Sequence, residues 1–300
     1  MLISKILCLL ITKFLYFCLG VVKLVRLTKS KNITTTITFL FHSNVVGKLL
    51  KIIRREKILH IATFRSDRLS KRDSKISRLR TFIFKNFVLD KEIFVVFNSM
   101  SGLNNMNLKN VNTRIIFNTP LNNVQLSKDT KEQNTKLVFI GRFDELKNVK
   151  NIALSMKYLL FEDIVLDIYG KGPDLKSIEQ AIRDNSLQNN VKLKGIDKEI
   201  ANKLSNYDAL IIASTHDAFP NVLIEAMNAG VVPISTKVGD CEWLLNENRG
   251  IFINGFDPES IYLSIKEFYE MDLNQKNAII KNGRNFINHN LSEEKILKDW

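Results

Sequence analysis

From Leu137 onward, short apolar runs without polar alternation recur, separated by segments of helical character, and this pattern leaves few folds open. The runs are Leu137 to Ile140, Ile164 to Tyr169, Val191 to Leu193, Ala209 to Ala213, Val231 to Ser235 and Gly250 to Ile253. A strand wetted on one face alternates apolar with polar side chains. An unalternating strand is buried on both faces, as in a parallel sheet covered above and below by helices. Helices are predicted over Asn151 to Leu160 and Asp174 to Asp184, and more lie between the later strands. Strand then helix, repeated, predicts a doubly wound, Rossmann-like domain over residues 136–300.

Residues 30–120 read as a less regular α/β region. Strands are predicted at Thr35 to Phe41, Ile58 to Phe64, Ile93 to Phe97 and Arg114 to Phe117, with helices at Val45 to Arg54 and Lys71 to Asn86. Residues 121–135 are polar with almost no core formers, which marks them as a linker. The expected organisation is a first domain over 1–120, the linker 121–135, and a second domain over 136–300.

Charge divides along the same boundary. Residues 1–120 hold 22 Lys and Arg against 5 Asp and Glu, whereas residues 121–300 hold 22 against 26. A basic first domain suits an anionic membrane surface or a phosphorylated substrate. Nucleic acid is not expected as a partner, because no zinc-finger, RRM or basic-zipper pattern accompanies the charge. Cys8, Cys18 and Cys241 have neither metal-ligand spacing nor the even count of a disulfide framework, which fits a reducing cytoplasm. Near the N-terminus, Ile6 to Ile11 and Phe14 to Val22 are each too short to span a bilayer, and no signal-peptide cleavage pattern follows. Lys5, Lys13 and Lys23 fall on one side of a helix there. Packing on a sheet, lying in a membrane interface and spanning all remain open.

In a doubly wound sheet, ligands bind outside the carboxyl ends of the strands. Three candidate loops sit there. The first, Gly141 to Asn148, offers a turning glycine and two cations, Arg142 and Lys147, where a diphosphate leaving group would gather charge. The second, Tyr169 to Pro173, contains Gly170 and Gly172, which permit close backbone approach, with Pro173 expected at the first helical position. The third runs from His216 to Gly230. Pro220 suits a first helical turn, and the N–H groups of Phe219, Pro220's neighbour Asn221 and Val222 could face an anion or sugar hydroxyls. Asp217 precedes that helix, and Glu225 lies one and a half turns inside it. Each loop taken singly also fits an ordinary turn or cap.

In order and spacing together, the three loops resemble the donor domain of retaining GT-B glycosyltransferases of the large family 4 class. The resemblance covers residues 136 to about 290. It implies an α/β fold of GT-B type, with two Rossmann-like doubly wound domains, the N-terminal one incomplete. It also implies transfer of a hexosyl or N-acetylhexosaminyl group from a nucleoside diphosphate sugar to a saccharide or lipid-linked glycan. Such activity serves cell-surface polysaccharide synthesis, of lipopolysaccharide or capsule type, in the cytoplasm or at its membrane face. No obligatory cofactor or metal is implied. By the same resemblance Arg142 and Lys147 hold the donor diphosphate, Glu225 binds the ribose, and Asp217 lies by the transferred sugar. Gly141, Gly170, Phe219, Pro220, Asn221 and Val222 would line the nucleotide-sugar site.

Two departures stand out. Asp217 is one methylene shorter than the family's usual Glu, and the family's G-G-x-P-E segment reads Gly239-Asp240-Cys241-Glu242-Trp243, with Glu242 nearest its acid. A fainter resemblance reaches Phe41 to Leu49, Phe64 to Arg68, Asn98-Ser99 and Asn118-Thr119-Pro120 in the acceptor domain. It makes His42 a substrate-side catalytic residue, although a lone histidine at a strand end also serves structure alone. The family's opening strand, glycine-rich loop and helix have no match before residue 30. A reduced first domain or an incomplete chain is therefore expected. A nucleotide-sugar-binding remnant, or the partner subunit of a complete transferase, stays open beside the enzyme.

Overall fold

The computed structural model describes residues 18–55, 58–65, 75–89, 93–106, 108, 111–120, 135–160 and 162–300. Two units divide the chain between Ile116 and Phe117. Of the expected linker, residues 121–134 lie outside the described residues, as do Lys5, Lys13, Asp67 and Arg68.

In the first unit, helix α1 occupies residues 18–30. It is followed by β1 (Thr35–Phe39), α2 (Leu40–Ile53), β2 (Leu59–Phe64), α3 (Lys75–Ile83), a π-turn at Phe84–Val88, β3 (Phe94–Phe97), α4 (Met100–Met106) and β4 (Asn112–Ile115). The sheet runs β1-β2-β3-β4 and every pairing is parallel, with Ile37 opposite Ile61 and Ile61 opposite Phe94. Ala62, Phe64, Val95 and Phe97 build one core face, packed with Phe84, Val88 and Met106.

Two expectations are corrected here. The first strand stops at Phe39 rather than running to Phe41, because Leu40 takes a left-handed φ of 70° and turns the chain straight into α2. His42 consequently sits in the first turn of α2 and not at a strand end. Helix α4 has no counterpart among the elements that the sequence predicts. Its sequence, rich in Asn with a central Gly, carries little helical signal, and the Ser99 hydroxyl supports its start by accepting from the Gly102 N–H at 3.0 Å. Among the described residues no helix is long and apolar enough to cross a membrane.

The second unit contains β5 (Thr135–Ile140), α5 (Val149–Ser155), β6 (Ile164–Tyr169), α6 (Leu175–Asp184), β7 (Val191–Gly195), α7 (Ile200–Lys203), β8 (Ala209–Ile212), α8 (Asn221–Ala229), β9 (Val232–Thr236), α9 (Cys241–Leu245), β10 (Ile251–Ile253), α10 (Pro258–Glu270), α11 (Leu273–Asn290) and α12 (Glu293–Asp299). Its six strands are parallel in the order β10-β9-β8-β5-β6-β7. Numbered from β5, this is the Rossmann order 3-2-1-4-5-6, and the chain reverses direction across the sheet between β5 and β8. Leu137, Phe139, Leu166, Ile168, Ala209, Ile211, Val232 and Ile234 are almost wholly buried, which is why their runs show no alternation. Asp257 caps α10 ahead of Pro258, and Asp272 with Gln275 forms a capping box on α11.

Candidate functional site

The switch point between β5 and β8 places the first and third loops side by side, and the backbone joins them. Thr215 N–H donates to Leu146 C=O at 2.9 Å. The second loop is fixed to the first in the same way. Gly141 N–H donates to Tyr169 C=O and Phe143 N–H to Lys171 C=O, both at 3.0 Å. Gly170 has φ of 141°, and a Cβ there would lie 1.8 Å from Gly141 O. That approach admits no side chain.

Side chains complete the junction. Lys147 Nζ donates to Asp217 Oδ2, an ion pair joining residues 70 positions apart on the two loops. Arg142 Nε donates to Asp144 Oδ2 at 2.7 Å, and its Nη2 pairs with the same oxygen. Asp144 Oδ1 also accepts from Lys147 N–H at 3.2 Å, so one carboxylate orients the guanidinium and shapes the turn that presents the lysine. Sequence reasoning passed over Asp144. The available signal was an Asp three residues before Lys147, the spacing of a capped turn. A cavity of about 640 Å³ adjoins, lined by Gly141, Arg142, Gly170, Lys171, Gly172 and Ile196 among others.

The third loop reaches α8 differently from expectation. Pro220 occupies the N-cap and not the first helical turn, with ψ of 107°, and Asn221 opens the helix. Pro173 likewise lies in a turn, with Asp174 as the N-cap of α6. Phe219 and Pro220 are buried, Val222 and Glu225 half-buried, and Asn221 exposed. Asn221 Oδ1 accepts from Asn118 Nδ2 at 2.6 Å, and Phe219 stacks on Phe117 with centroids 5.4 Å apart. Glu242 is exposed on α9, its carboxylate 3.9 Å from Lys237 Nζ. His42 lies in the first unit, exposed, its ring edge-on to Phe41. Burial pushes the Cys241 thiol up to about 12, so it stays protonated at neutral pH and is no nucleophile.

Burial also raises the Glu225 carboxyl above its ordinary value, and no described side chain pairs with it. A raised folded value means that the cost of ionising Glu225 in place is absent below the ordinary glutamate range and fully felt above the raised value. Glu225→Gln is therefore expected to raise Tm at about pH 7.5. The gain should shrink once pH falls below the raised value and be gone below the ordinary glutamate range near 4. Thermal melts at the two pH values check this.

Residues 123–286 match the family described as Glycosyl transferases group 1. N-acetyl-alpha-D-glucosaminyl L-malate synthase of Bacillus anthracis is 26% identical over 130 residues, 43% of this chain and 34% of that protein. The chain thus spans about a third of that relative's length. The Campylobacter jejuni N-acetylgalactosamine-N,N'-diacetylbacillosaminyl-diphospho-undecaprenol 4-alpha-N-acetylgalactosaminyltransferase is 22% identical over 272 residues, 87% of this chain and 74% of that enzyme. Among solved structures, Anabaena HepE in complex with UDP-glucose superposes with a TM-score of 0.80 at 18% identity, covering 93% of this chain and 79% of that one. The two parallel, helix-flanked sheets have the GT-B fold of these neighbours. With more than half of its residues matched by the family, the chain belongs to the glycosyl transferases of group 1.

Proposed function

We propose that this protein is a retaining glycosyltransferase of the family 4 class, moving a hexosyl or N-acetylhexosaminyl group from a nucleoside diphosphate sugar to a saccharide or lipid-linked glycan of a cell-surface polysaccharide. The observation that carries the reading is the ion pair of Lys147 with Asp217 at the switch point, with Arg142 on the same loop as Lys147 and Gly170 on the loop hydrogen-bonded to it. In this reading Lys147 and Arg142 stabilise the departing diphosphate, Glu225 holds the ribose, and Asp217 orients the sugar. The first donors to test are UDP-sugars, since HepE was solved with UDP-glucose and a pneumococcal O-GlcNAc transferase with UDP and GlcNAc.

The test is a screen of UDP- and GDP-sugars against glycan acceptor extracts, in buffer with EDTA, with the anomeric configuration of product read by NMR. Turnover with retention supports the reading. Nucleotide binding without turnover would make the chain a binding subunit, and full activity in both Arg142→Ala and Glu225→Ala would sink the site assignment. A cytoplasmic position at an anionic membrane belongs to the same proposal. It is supported by the basic first 120 residues and by the exposed Leu19, Val22 and Leu27 of α1 beside Lys23 and Arg26. Failure to float with anionic liposomes at low salt would remove it. A shortened first domain completes the reading. Ile37, Leu59 and Phe94 are exposed on one face of a parallel sheet, where such sheets are normally covered on both.

A further inference from the structure

Helix α8 begins without any side-chain cap, since Pro220 at the N-cap has no group to offer. The stretch Phe219 to Asn221 must then be held from outside the helix. Three segments remote in sequence meet there. The Phe117 ring stacks on Phe219 at 5.4 Å and 27°, and on Trp243 at 4.8 Å and 20°, so it is held between them. The next residue, Asn118, donates from Nδ2 to Asn221 Oδ1 at 2.6 Å.

The far side of this ladder is anchored. Trp243 meets Phe286 of α11 edge-on at 4.9 Å, and the Arg249 guanidinium lies 4.2 Å from the centre of the Phe286 ring. Arg249 also donates from Nη2 to Trp243 C=O at 2.8 Å and from Nε to Leu244 C=O at 2.9 Å. The loop leading to Trp243 is pinned to the third loop as well. Asp240 N–H donates to Ala218 C=O at 3.0 Å, and Gly239, with φ of 56°, leaves no room for a Cβ beside Asp217 O. Trp243 is thus the fixed wall, Phe117 rests on it, and Phe219 rests on Phe117.

We propose that Phe117 and Asn118 are positioning residues for the donor motif, fixing Phe219 to Asn221, and with them the opening of α8, in the arrangement that reads a nucleoside diphosphate. The inference rests on the donor-site reading above. Each is assigned to act through a residue of the third loop, Phe117 through Phe219 and Asn118 through Asn221.

Calorimetry with UDP and with GDP identifies the nucleotide that the wild-type chain binds more tightly, and that nucleotide is the probe. Phe117→Ala is expected to raise its Kd about tenfold, the scale of losing two ring pairs. Phe117→Tyr, which keeps a flat ring, should stay within about twofold of wild type, while Phe117→Leu, which keeps only apolar bulk, should remain weak. Asn118→Ala should raise Kd by a smaller factor at an unchanged Tm.

A spectroscopic readout is independent of affinity. The chain has two tryptophans, and in a Trp300→Phe background Trp243 alone reports. Its emission should change when the nucleotide binds, and Phe117→Ala should abolish that change at saturating nucleotide. The inference is overturned if Phe117→Ala lowers Tm while leaving Kd and the emission change intact, since the ladder is then core packing alone. Lys147→Ala separates the two readings. If it weakens binding while the Phe117 and Asn118 variants do not, only this inference falls; if it too binds normally, the donor-site reading falls and this one with it.

Discussion

Lys147→Ala is expected to lower kcat/KM for sugar transfer by about 10²–10³, the loss typical of removing one charge-stabilising group from a transition state, or about 2.7–4 kcal/mol. The effect has two sources. The amine that would meet the leaving diphosphate disappears. Asp217, whose side chain is only 17% exposed, is left without its counter-charge next to an anionic donor. Arg142→Ala should cost less, because the Arg142 side chain is 54% exposed and screened by solvent. Asp217→Asn separates the two sources. It frees Lys147 from its partner, so nucleotide affinity should hold or tighten while transfer falls. Steady-state kinetics beside calorimetry on the three variants checks the order. A Lys147→Ala enzyme within about threefold of wild type would remove the lysine from the chemistry.

The second unit was legible for a physical reason. Its strands are buried on both faces, so their sequences are forced to be apolar throughout, and Ile164 to Tyr169 was predicted with the bounds that the structure shows. Loop chemistry at strand ends was legible too, because glycines and cations stand out against apolar runs. The first unit was harder. Leu40 looks like a strand residue by composition, yet a left-handed φ there ends β1 and moves His42 into a helix. The ladder of Phe219, Phe117 and Trp243 left no local signal at all. Phe117 and Phe219 lie 102 positions apart, and each is by itself an ordinary apolar residue. In the sequence Asn118 reads only as part of a strand end, yet its amide reaches 103 residues along the chain to Asn221. Periodicity reports what an element buries. It says nothing about which remote side chain the element is buried against.

Gly170→Ala is expected to destabilise the second unit by at least about 3 kcal/mol and to abolish nucleotide binding in whatever folded protein remains. Backbone strain is the first cause: φ of 141° is a region that L side chains rarely adopt, at a cost of about 1–3 kcal/mol. Overlap is the second. The new Cβ would stand 1.8 Å from Gly141 O and 2.9 Å from the Phe143 ring, and the nearest atom is backbone that has no rotamer to escape through. Relief requires the first loop to move away from the second. That movement breaks the Gly141-to-Tyr169 and Phe143-to-Lys171 hydrogen bonds, each worth about 0.5–1.5 kcal/mol. Because the same movement carries Arg142 off its seat, stability and binding are lost through one displacement. Gly195→Ala is the control. It has φ of 69° but open space around its Cβ, so it should show the cost of strain without the overlap and keep nucleotide binding. Thermal melts should therefore place Gly170→Ala well below Gly195→Ala, by roughly 4–8 °C if overlap adds about 2 kcal/mol in a unit of this size. Equal losses in the two variants would mean that the loops are not locked together at Gly170, and that the cations on the first loop are positioned by something else.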